Sequence, residues 1–509
     1  MKKRGVFILL FIICTVFVHA QFEVRTEAQI TASDGDNTPL WLNANKYGLS
    51  SLELANGYAR AGIFYPVEQD SLTKWKRGFG ADAVMAGGFA SSTFFHQVYG
   101  EIGWHHGLLT IGSKEQPMEL KDQELSSGSQ TLGINARPVP GIRLSLPDYW
   151  TIPGVRWLGL KGHIFYGWTT DDRWQKEFTL TNSRYTEKTM LHTKAGYLRF
   201  GKPGKPVTVE LGIEMGNQFG GKSITPMGND NIVVHNEGGL SGMFHALVPS
   251  GNEVYDSEYK NKMGNHVGSW MARVNLEQKK WGASVYADHF FEDQSQMFFL
   301  DYDGYGEGEK WDSWEHFNWL VYDLRDILLG MELRLKNSKW VDAVVVEYLY
   351  TKYQSGPVYH DHTRTMSDHI SGLDNYYNHH LFTGWQHWGQ VMGNPLYRSP
   401  LYNNDDLIEV KNNRFVALHL GVKGSPWPLL KYRLLATCQK GWGSYWKPYT
   451  TPKKNVSVLA EATYDFSDIR AMRGWSIKGS LAFDCGKLYG NNYGLQMTLA
   501  KKFKINSPR

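Results

Sequence analysis

Apolar and polar residues alternate along much of this chain with a period of two. In 207–215 every odd-numbered residue is apolar, and every even-numbered residue is polar or glycine. A β-strand directs successive side chains to opposite faces, so this pattern predicts strands that separate an apolar environment from a polar one. Twelve segments show the pattern clearly: 59–67, 79–85, 158–168, 207–215, 270–276, 281–287, 327–335, 341–350, 430–438, 456–464, 475–483 and 493–503. Four show it more weakly: 22–30, 98–104, 191–199 and 414–422.

The connections between these strands fall into two classes. Short turns are predicted at 201–206, 277–280, 336–339 and 423–426, and long connections at 219–268 and 355–412. Bacterial outer-membrane barrels have short periplasmic turns and long extracellular loops, and each strand needs only roughly 9–11 residues to cross. We therefore predict an all-β fold over residues 21–509. It is a transmembrane antiparallel β-barrel of about 18 strands, with short periplasmic turns and long extracellular loops.

A cation next to tryptophan marks the places where predicted strands leave short connections. The pairs are Lys74-Trp75, Arg156-Trp157, Lys280-Trp281 and Lys339-Trp340, with Arg473-Gly474-Trp475 as a near variant. Tryptophan prefers the membrane–water boundary, so these rings predict one interface of a membrane barrel. An aromatic edge on a soluble β-sandwich is the alternative. Against it, the polar faces carry many charges, which suit a hydrated lumen: Glu210, Glu214, Arg273, Asp288, Glu332, Arg334 and Lys478.

The first residues have the composition of a secretory signal peptide. A basic start (Lys2, Lys3, Arg4) precedes an apolar run at 6–18, and small residues follow where cleavage requires them. We predict a signal peptide at 1–20 that is cleaved after Ala20. Together with the barrel pattern, it predicts location in the outer membrane.

Composition narrows the class of protein further. The mean hydropathy of −0.42 argues against a helical membrane protein. The net charge of +4, without a basic patch, gives no indication of nucleic-acid binding. The 19 Trp, 28 Tyr and 24 Phe suit both a membrane boundary and a sugar-binding surface. Cys438 and Cys485 each share a face with apolar residues, so we interpret them as wall residues and not as a disulfide.

Three stretches carry a family resemblance. They are Asn37-Thr-Pro-Leu-Trp-Leu-Asn-Ala-Asn-Lys-Tyr-Gly48, Gly133-Ile-Asn-Ala-Arg-Pro-Val-Pro-Gly-Ile-Arg-Leu144, and 376–395 with its Tyr-Asn-His and Gly-Trp-Gln-His-Trp motifs. Together they resemble the Wzi capsule-assembly family in its Bacteroidetes-type version, over essentially the whole chain after residue 20. The resemblance implies an outer-membrane barrel that acts as a non-catalytic surface lectin and holds capsular polysaccharide on the cell.

One predicted outer loop, 301–314, combines carboxylates, glycines and aromatic rings. Flat rings pack against sugar faces, and carboxylates accept hydrogen bonds from sugar hydroxyls. The candidate glycan contacts in this loop are Asp303, Glu307, Trp311 and Trp314. A cation site is one alternative, although the spacing does not match a twelve-residue calcium loop. A structural loop folded by its own aromatic residues is the other.

A second aromatic segment lies in a histidine-rich region, since six of the 18 histidines fall within 360–387. Its candidate glycan contacts are Tyr376, Tyr377, His379, Trp385 and Trp388. No pair of histidines has a recognised ligand spacing with a supporting carboxylate, so we predict no metal site. The alternative is a polar, aromatic loop packed over or into the lumen, with the two tryptophans as its anchors.

Arg137 is the last candidate glycan contact. It follows Asn135 and precedes Pro138 in the second resemblance stretch. A guanidinium group pairs well with carboxylates, so this side chain is suited to an acidic sugar. Pro138 and Pro140 stiffen the segment, so a purely structural role in the lumen is the alternative.

These observations predict a non-catalytic outer-membrane barrel that binds surface polysaccharide and helps anchor or assemble the capsule. A substrate-specific or passive pore and a barrel-embedded hydrolase are the alternatives. The chain has no Gly-x-Ser-x-Gly elbow or other ordered triad motif, so we predict no enzymatic activity and no cofactor. The expected partners are capsular or other surface polysaccharide and outer-membrane lipid or lipopolysaccharide. A monomer is expected, and an oligomer is left open.

Overall fold

The computed structural model of the protein describes most of the chain after residue 20. The described ranges are 21–67, 74–179, 183–202, 204–228, 230–249, 263–292, 304–305, 309, 313–315, 325–354, 358–360, 369–371 and 374–506. The signal peptide predicted at 1–20 lies outside the described residues.

Eighteen long strands form one antiparallel sheet that closes on itself. In chain order they are β1 (Gln21–Asp34), β2 (Ala55–Tyr65), β3 (Trp75–Gly87), β4 (Thr93–Trp104), β5 (Gly107–Ser113), β6 (Gly141–Thr151), β7 (Leu158–Trp168), β8 (Met190–Phe200), β9 (Val207–Phe219), β10 (Asn265–Glu277), β11 (Trp281–Glu292), β12 (Ile327–Leu335), β13 (Ala343–Tyr350), β14 (Phe415–Trp427), β15 (Leu430–Gly443), β16 (Pro448–Asp465), β17 (Trp475–Gly486) and β18 (Asn492–Asn506). Each strand pairs with the next, and β1 pairs with β18 from Gln21 and Asn506 to Asp34 and Tyr493. The predicted antiparallel barrel of about 18 strands is confirmed.

Sixteen of the strands coincide with segments in which the sequence alternates, and two, β5 and β6, are not predicted by that pattern. The turn predicted at 423–426 is wrong, because β14 continues through Pro426 to Trp427 and the turn is 428–429. A register shift between Gly424 and Trp427 accommodates the proline, which has no N–H to donate to the ladder.

The outward side chains of the strands form an apolar belt around the barrel. Exposed members of this belt occur on strands throughout the barrel: Ile63, Ile102, Leu144, Leu198, Val274, Met331, Leu420, Leu481 and Leu495. An apolar surface around a closed barrel is stable against lipid acyl chains, so this is an outer-membrane β-barrel. Cys438 and Cys485 lie on this face, each opposite Val456, which confirms that they are wall residues.

The two ends of the barrel have different connections. At the end that holds residues 21 and 506, every connection is short: 66–74, 105–106, 152–157, 201–206, 278–280, 336–342, 428–429 and 466–474. The opposite end has six long connections: 35–54, 114–140, 169–189, 220–264, 293–326 and 351–414. Its three other connections are short: 88–92, 444–447 and 487–491. Short turns face the periplasm in bacterial barrels, so the second end is extracellular.

Tryptophan rings surround the periplasmic end. Trp75 and Trp340 are exposed there, and their ring centroids each lie 6.4 Å from a second ring, Trp104 and Trp427 respectively. Trp157 and Trp281 are exposed at the same end, each beside a short connection. The interface that the cation–tryptophan pairs predict is therefore confirmed.

Short elements occupy the connections. The helices are α1 (Leu40–Asn43), α2 (Asp172–Phe178) and α3 (Gly239–Leu247), with single 3-10 turns at Pro400–Tyr402 and Arg470–Met472. The short strands pair as Lys222–Met227 with Tyr185–Glu187 and Asp230–His235, Gly304–Tyr305 with Trp314–Glu315, Val358–His360 with His369–Ser371, and Gln386–His387 with Gln390–Val391. Among the described residues, no helix has the length and apolar character needed to cross a membrane.

Ion pairs line the periplasmic half of the lumen. Glu461 on β16 lies 3.2 Å from Arg433 and 3.7 Å from Lys478, and Arg334 lies 2.7 Å from Glu332. The arginines and the lysine are partly exposed, so Arg334 and Lys478 match the hydrated lumen that the alternating charges predict, whereas Glu332 and Arg273 are buried. The extracellular half does not match it, because other parts of the chain fill that half.

Candidate functional site

Three extracellular connections fold back into the lumen and form a plug that fills its upper half: residues 38–50, 114–140 and 374–413. Residues 119–124 reach further down, where Glu119 pairs with Lys161 at 2.7 Å and Asp122 with Lys423 at 2.9 Å. The Tyr47 N–H donates to the Ile134 carbonyl at 2.7 Å, which joins the first two segments. Asn135 joins all three, because its side chain accepts from the Asn45 N–H and donates to the Val391 carbonyl, both at 3.0 Å. The plug is therefore one hydrogen-bonded body built from distant parts of the sequence.

Carboxylates on the barrel wall hold the plug in place. Glu347 on β13 accepts hydrogen bonds from the Ser126 hydroxyl at 2.6 Å and the Ser127 N–H at 2.8 Å. Asp288 on β11 lies 2.6 Å from the Lys121 ammonium. Buried polar groups need partners, and here the strands supply acceptors for donors of the plug. The register of the wall thus fixes where the plug sits.

The prediction that Glu214 and Asp288 line a hydrated lumen is wrong. Both side chains are fully buried. Glu214 accepts hydrogen bonds from the Leu132 N–H at 3.2 Å and from the Tyr197 hydroxyl at 2.7 Å. The plug has taken the place of water around these carboxylates, and alternation alone does not distinguish a wet lumen from a filled one.

A cavity of about 140 Å³ remains between the plug and strands β5 to β8; we call it the lumenal cavity. Its lining combines rings, hydroxyls and cations: Tyr47, Thr110, Lys114, Arg137, Arg143, His163, Tyr197 and Trp385. A polar cavity of this size holds several water molecules, which a bound solute would replace. It is therefore the candidate binding site of the described part of the chain.

Arg137 reaches the lumenal cavity between two aromatic rings. Its guanidinium carbon lies 4.0 Å from the centroid of Phe94 and 4.5 Å from that of Trp388. Burial lowers the pKa of this guanidinium to about 10, and the negative charge of Asp171 opposes the shift. The group therefore stays positive at neutral pH. Among the described residues, no oxygen accepts a hydrogen bond from it. A cation held by rings, with its donors unused, is suited to a carboxylate or phosphate.

A glycine makes room for this arginine in the plug. Gly48 has φ +71°, and a Cβ there would lie 2.4 Å from Cγ of Arg137. Only glycine combines this left-handed conformation with so close an approach. The conformation of the first plug segment therefore helps to position the guanidinium group supplied by the second.

Arg143 faces the same cavity from the wall. It lies on the inward side of β6, and none of the described residues accepts a hydrogen bond from its side chain. Lys114 differs, because its ammonium lies 2.7 Å from Glu101 and 4.8 Å from the centroid of Tyr99. Two carboxylates also line the cavity, but Glu119 pairs with Lys161 at 2.7 Å and Glu214 accepts from Tyr197 and Leu132. Two guanidinium groups that donate to no described oxygen favour an anionic ligand in the same cavity.

The barrel wall is interrupted beside Arg137, where β5 ends early. The pairing of β4 with β5 stops at Val98 and Ser113, so residues 93–97 of β4 have no paired strand on that side, and side-chain bonds from His96 and Gln97 to Glu115 replace the ladder there. A second cavity of about 250 Å³ fills this gap; we call it the wall notch. Outward-facing and plug residues both line it: Phe95, Val98, Arg137, Pro138, Thr170 and Trp388.

Three of the predicted glycan contacts are packed inside the plug. Tyr376, Tyr377 and Trp385 are all fully buried. The Tyr376 hydroxyl donates to Asp326 and the Trp385 indole N–H donates to the Thr131 carbonyl, both at 2.9 Å. Covered on both faces, these rings have no surface on which a pyranose could stack. In the structure these three rings are packing residues of the plug and not glycan contacts, although the edge of Trp385 borders the lumenal cavity.

Two further candidates are partly accessible. Trp388 packs on Arg137, and its indole N–H donates to the Thr170 hydroxyl at 3.1 Å. His379 lies at the outer side of the plug, where its ring centroid is 4.4 Å from that of His380. The structure thus brings Arg137, Trp385 and Trp388 to one region and leaves His379 apart from it.

The candidates of the 301–314 loop are not located by the structure. Asp303, Glu307 and Trp311 lie outside the described residues. Trp314 is described through its backbone, which pairs with that of Tyr305. All four stay predictions.

Sequence reasoning missed the wall side of the site. Arg143 lies on β6, which the alternation pattern was not used to predict, although Ile142, Leu144 and Leu146 alternate with polar residues around it. That signal was present in the second resemblance stretch. Phe94, which holds the guanidinium of Arg137, has no signal in the sequence, because its role depends on contact with the plug.

Two buried imidazoles, His387 and His419, each contact a threonine in the lumen, and no described carboxylate forms a hydrogen bond with either of them. The Nε2 atom of His387 accepts from the Thr170 N–H at 3.1 Å, and its Nδ1–H donates to the Arg137 carbonyl at 2.9 Å. His419 likewise bonds Thr437 at 2.7 Å and a backbone carbonyl at 2.9 Å. A nucleophile–base unit needs a third orienting group, usually a carboxylate.

Within the described ranges no group of three His, Cys, Asp or Glu side chains could hold a metal ion.

No known protein family and no curated protein matches this chain. Solved structures with a similar fold include OprD of Pseudomonas aeruginosa, at 8% identity and a TM-score of 0.44 over 96% of both chains. OccK8 (OprE) of Pseudomonas aeruginosa matches at 8% identity and 0.46, over 96% of this chain and 98% of that chain. OccAB4 of Acinetobacter baumannii matches at 7% and 0.45, over 96% and 100%. Values this low carry no substrate or mechanism to this chain.

Proposed function

We propose that the protein is a non-enzymatic, substrate-selective outer-membrane channel that binds a carboxylate-bearing solute, such as an acidic sugar, in the lumenal cavity. One observation carries this proposal: Arg137 and Arg143 face the same cavity, and no described residue accepts a hydrogen bond from either guanidinium group, while the two acids of the lining, Glu119 and Glu214, are bonded to Lys161 and Tyr197. A cation in a partly desolvated cavity pairs strongly with an anion. The ring of Tyr47 in the same lining supplies a flat surface for a sugar.

The contrast between the two halves of the lumen favours selective passage over open diffusion. The plug fills the upper half, while the lower half, into which residues 119–124 of the plug extend, is lined by partly exposed ion pairs such as Arg433–Glu461. A solute that enters from outside must pass beside the plug, where the lumenal cavity lies. Any solute larger than this cavity requires the plug segments to move. We therefore expect a low resting conductance.

Isothermal titration calorimetry of the purified barrel with glucuronate and with glucose tests the ligand class. The two sugars differ in one carboxylate, so the neutral sugar is the matched control. We expect glucuronate to bind at least about tenfold more tightly, because hydrogen bonds to a charged group contribute roughly 1.5–3 kcal/mol. Equal affinities for the two sugars would contradict the proposal.

A pair of variants assigns the effect to the cavity. Arg143→Gln removes a cavity guanidinium and is expected to abolish the preference for glucuronate. Arg433→Gln removes an arginine that does not line the lumenal cavity, pairs with Glu461 and donates to the Glu124 carbonyl of the plug, and it serves as the control. An equal loss in both variants would point to the general charge of the lumen. Glucuronate currents across planar bilayers then test passage: binding without current would make the protein a receptor and not a channel.

A second candidate is the retention of capsular polysaccharide, and one observation favours it. The three stretches that resemble the Wzi family, 37–48, 133–144 and 376–395, all lie in or border the plug, where Asn135 joins them. Three segments that are far apart in the sequence are expected to resemble the same family together when they form one functional unit. Membership of that family stays a prediction, as does polysaccharide as the partner.

A deletion strain separates the two candidates. Retention predicts that cell-attached polysaccharide falls and released polysaccharide rises, and that the wild-type gene restores both. Selective uptake predicts unchanged polysaccharide fractions and slower growth on an acidic sugar. If both polysaccharide fractions match the wild type, the capsule assignment is dropped.

A further inference from the structure

We infer that the wall notch binds one anionic lipid of the outer leaflet, with its phosphate on Arg137 and an acyl chain along Val98. This inference uses the side of Arg137 that faces the membrane and does not rest on the proposed channel function. Its basis is the position of the notch, the character of its two sides and the unused donors of the guanidinium group.

The notch opens through the wall and not only towards the lumen. Phe95 and Val98 point outward from β4 and are 71% and 45% exposed. Behind them, Arg137 and Trp388 belong to the plug, yet they line the same cavity. Side chains from the lipid-facing surface and from the lumen meet here because β5 ends at Ser113, below the upper part of β4.

The proline segment keeps the gap open. Pro138 and Pro140 lie where a continued β5–β6 pairing would run, and proline has no N–H to donate to a neighbouring strand. The Ser113 hydroxyl donates to the Pro138 carbonyl at 3.2 Å, which closes the lower edge of the notch with a side chain instead of a ladder. The opening is therefore part of the folded wall.

The notch lies at the height of lipid headgroups. Phe95 is close to the extracellular start of β4, which begins at Thr93, and Val98 lies deeper on the same strand. Trp168 is 47% exposed at the extracellular end of β7, and its backbone N–H donates to the Pro140 carbonyl at 3.1 Å. Exposed tryptophan marks the membrane–water boundary. Arg137 therefore lies near the headgroups, and Val98 among the upper parts of the acyl chains.

The chemistry of the notch suits an amphiphile better than a sugar. Its outward lining is apolar, whereas its inner side carries a positive charge between two rings. Guanidinium donors match the geometry of phosphate oxygens, and the apolar lip matches an acyl chain. A soluble anion on Arg137 would set its polar body against Phe95 and Val98, whereas a lipid places its phosphate on Arg137 and its acyl chain on these two side chains.

Photocrosslinking in nanodiscs made of equal parts of phosphatidylcholine and phosphatidylglycerol tests the inference. A photoreactive benzoylphenylalanine replaces Phe95 in one sample and Phe483 in another. Phe483 is the matched control, since it is also outward-facing and exposed near the extracellular end of its strand, β17. We expect the ratio of phosphatidylglycerol to phosphatidylcholine adducts to be about tenfold higher at Phe95.

Two arginine variants assign the enrichment. Arg137→Gln in the Phe95-labelled protein is expected to remove it, whereas Arg143→Gln, which changes the lumenal side alone, is expected to keep it. Val98→Phe narrows the notch without changing charge and is expected to lower the enrichment as well. Folding of each variant is checked by its heat-modifiable mobility in gels. Equal enrichment at Phe95 and Phe483, or enrichment that survives both Arg137→Gln and Val98→Phe, would overturn the inference. Neither result depends on whether glucuronate binds.

Discussion

The upper and lower halves of the lumen use the same residue types for different purposes. In the extracellular half, Glu347 is fully buried and accepts hydrogen bonds from the plug. In the periplasmic half, Glu461 faces Arg433 and Lys478 in a partly exposed network. The role of an inward carboxylate therefore depends on what occupies the lumen at its height. A buried carboxylate such as Glu347 holds the backbone of the plug in place. A carboxylate in a partly exposed network such as Glu461 contributes to the electrostatic field of the lumen.

The largest effect is expected from loss of an anchor of the plug. Trp385→Ala removes a buried indole that packs directly on β9, where a Cβ at Gly216 would lie 2.1 Å from the ring. We expect the plug to lose about 3–5 kcal/mol of stability while the barrel stays folded. Hydrogen exchange should then increase in 114–140 and 374–413, and resting conductance should rise. Trp446→Ala, at an exposed ring, is the control. Unchanged exchange in the plug would refute the anchoring role.

A matched pair of carboxylate variants tests the comparison itself. Glu347→Gln replaces an acceptor that serves the Ser126 hydroxyl, the Ser127 N–H and the Tyr286 hydroxyl with a group that is half donor. We expect a loss of about 2 kcal/mol, since buried bonds to a charged group are strong. Glu461→Gln should cost less than about 1 kcal/mol, because its partners are partly exposed. Denaturant unfolding measures both; equal losses would show that the two halves do not differ.

Acid is expected to loosen the upper half alone. Burial lowers the pKa of His387 below its ordinary value of 6.5. The unfolded chain therefore binds a proton that the folded plug excludes, and plug stability falls as pH drops below about 6.5, by up to roughly 1.4 kcal/mol per pH unit. Protonation would also set a second N–H against the Thr170 N–H. Hydrogen exchange of the plug at pH 7 and pH 5 measures this, and His387→Gln should flatten the dependence. A pH response that persists in the variant would assign it elsewhere.

The smallest effect on stability is expected in the lower half. Arg433→Gln leaves Glu461 with Lys478 at 3.7 Å and with the charge of Lys46, so we expect a loss under about 1 kcal/mol that shrinks further in salt. The altered field should instead move the reversal potential of the channel towards cation preference. A change in stability without a change in selectivity would mean that these ion pairs are structural.

The wall of this protein is largely predictable from sequence, because each strand contacts lipid on one side. Val207, Leu211 and their counterparts on other strands repeat every second residue for that reason. The same rule fails for β5, which has only seven residues, and overlooks β6, where Pro147 interrupts the pattern. Strand number and location therefore follow from local periodicity, while exact boundaries depend on pairing.

The plug and the site are less predictable, because they have no period. Tyr376 and Tyr377 look like sugar-stacking rings in the sequence, and what buries them is contact with segments far away along the chain. Arg137 was identified by residue type alone, and its neighbours Phe94 and Arg143 were not. Of the two interpretations of the histidine-rich segment, the alternative of a loop packed into the lumen agrees with the burial of Tyr376, Tyr377 and Trp385.

The tie between the first plug segment and the last strands has a consequence for the order of biogenesis. The Asp36 and Asn37 N–H groups donate to Asn492 at 2.8 and 3.0 Å, and the Leu40 N–H donates to Asp484 at 2.9 Å. These partners are made last, after more than four hundred residues of intervening chain. Contacts so distant form slowly, since loop closure precedes any gain from them. We therefore expect the first segment to dock only after the carboxyl-terminal strands have inserted, as one of the last steps of barrel assembly.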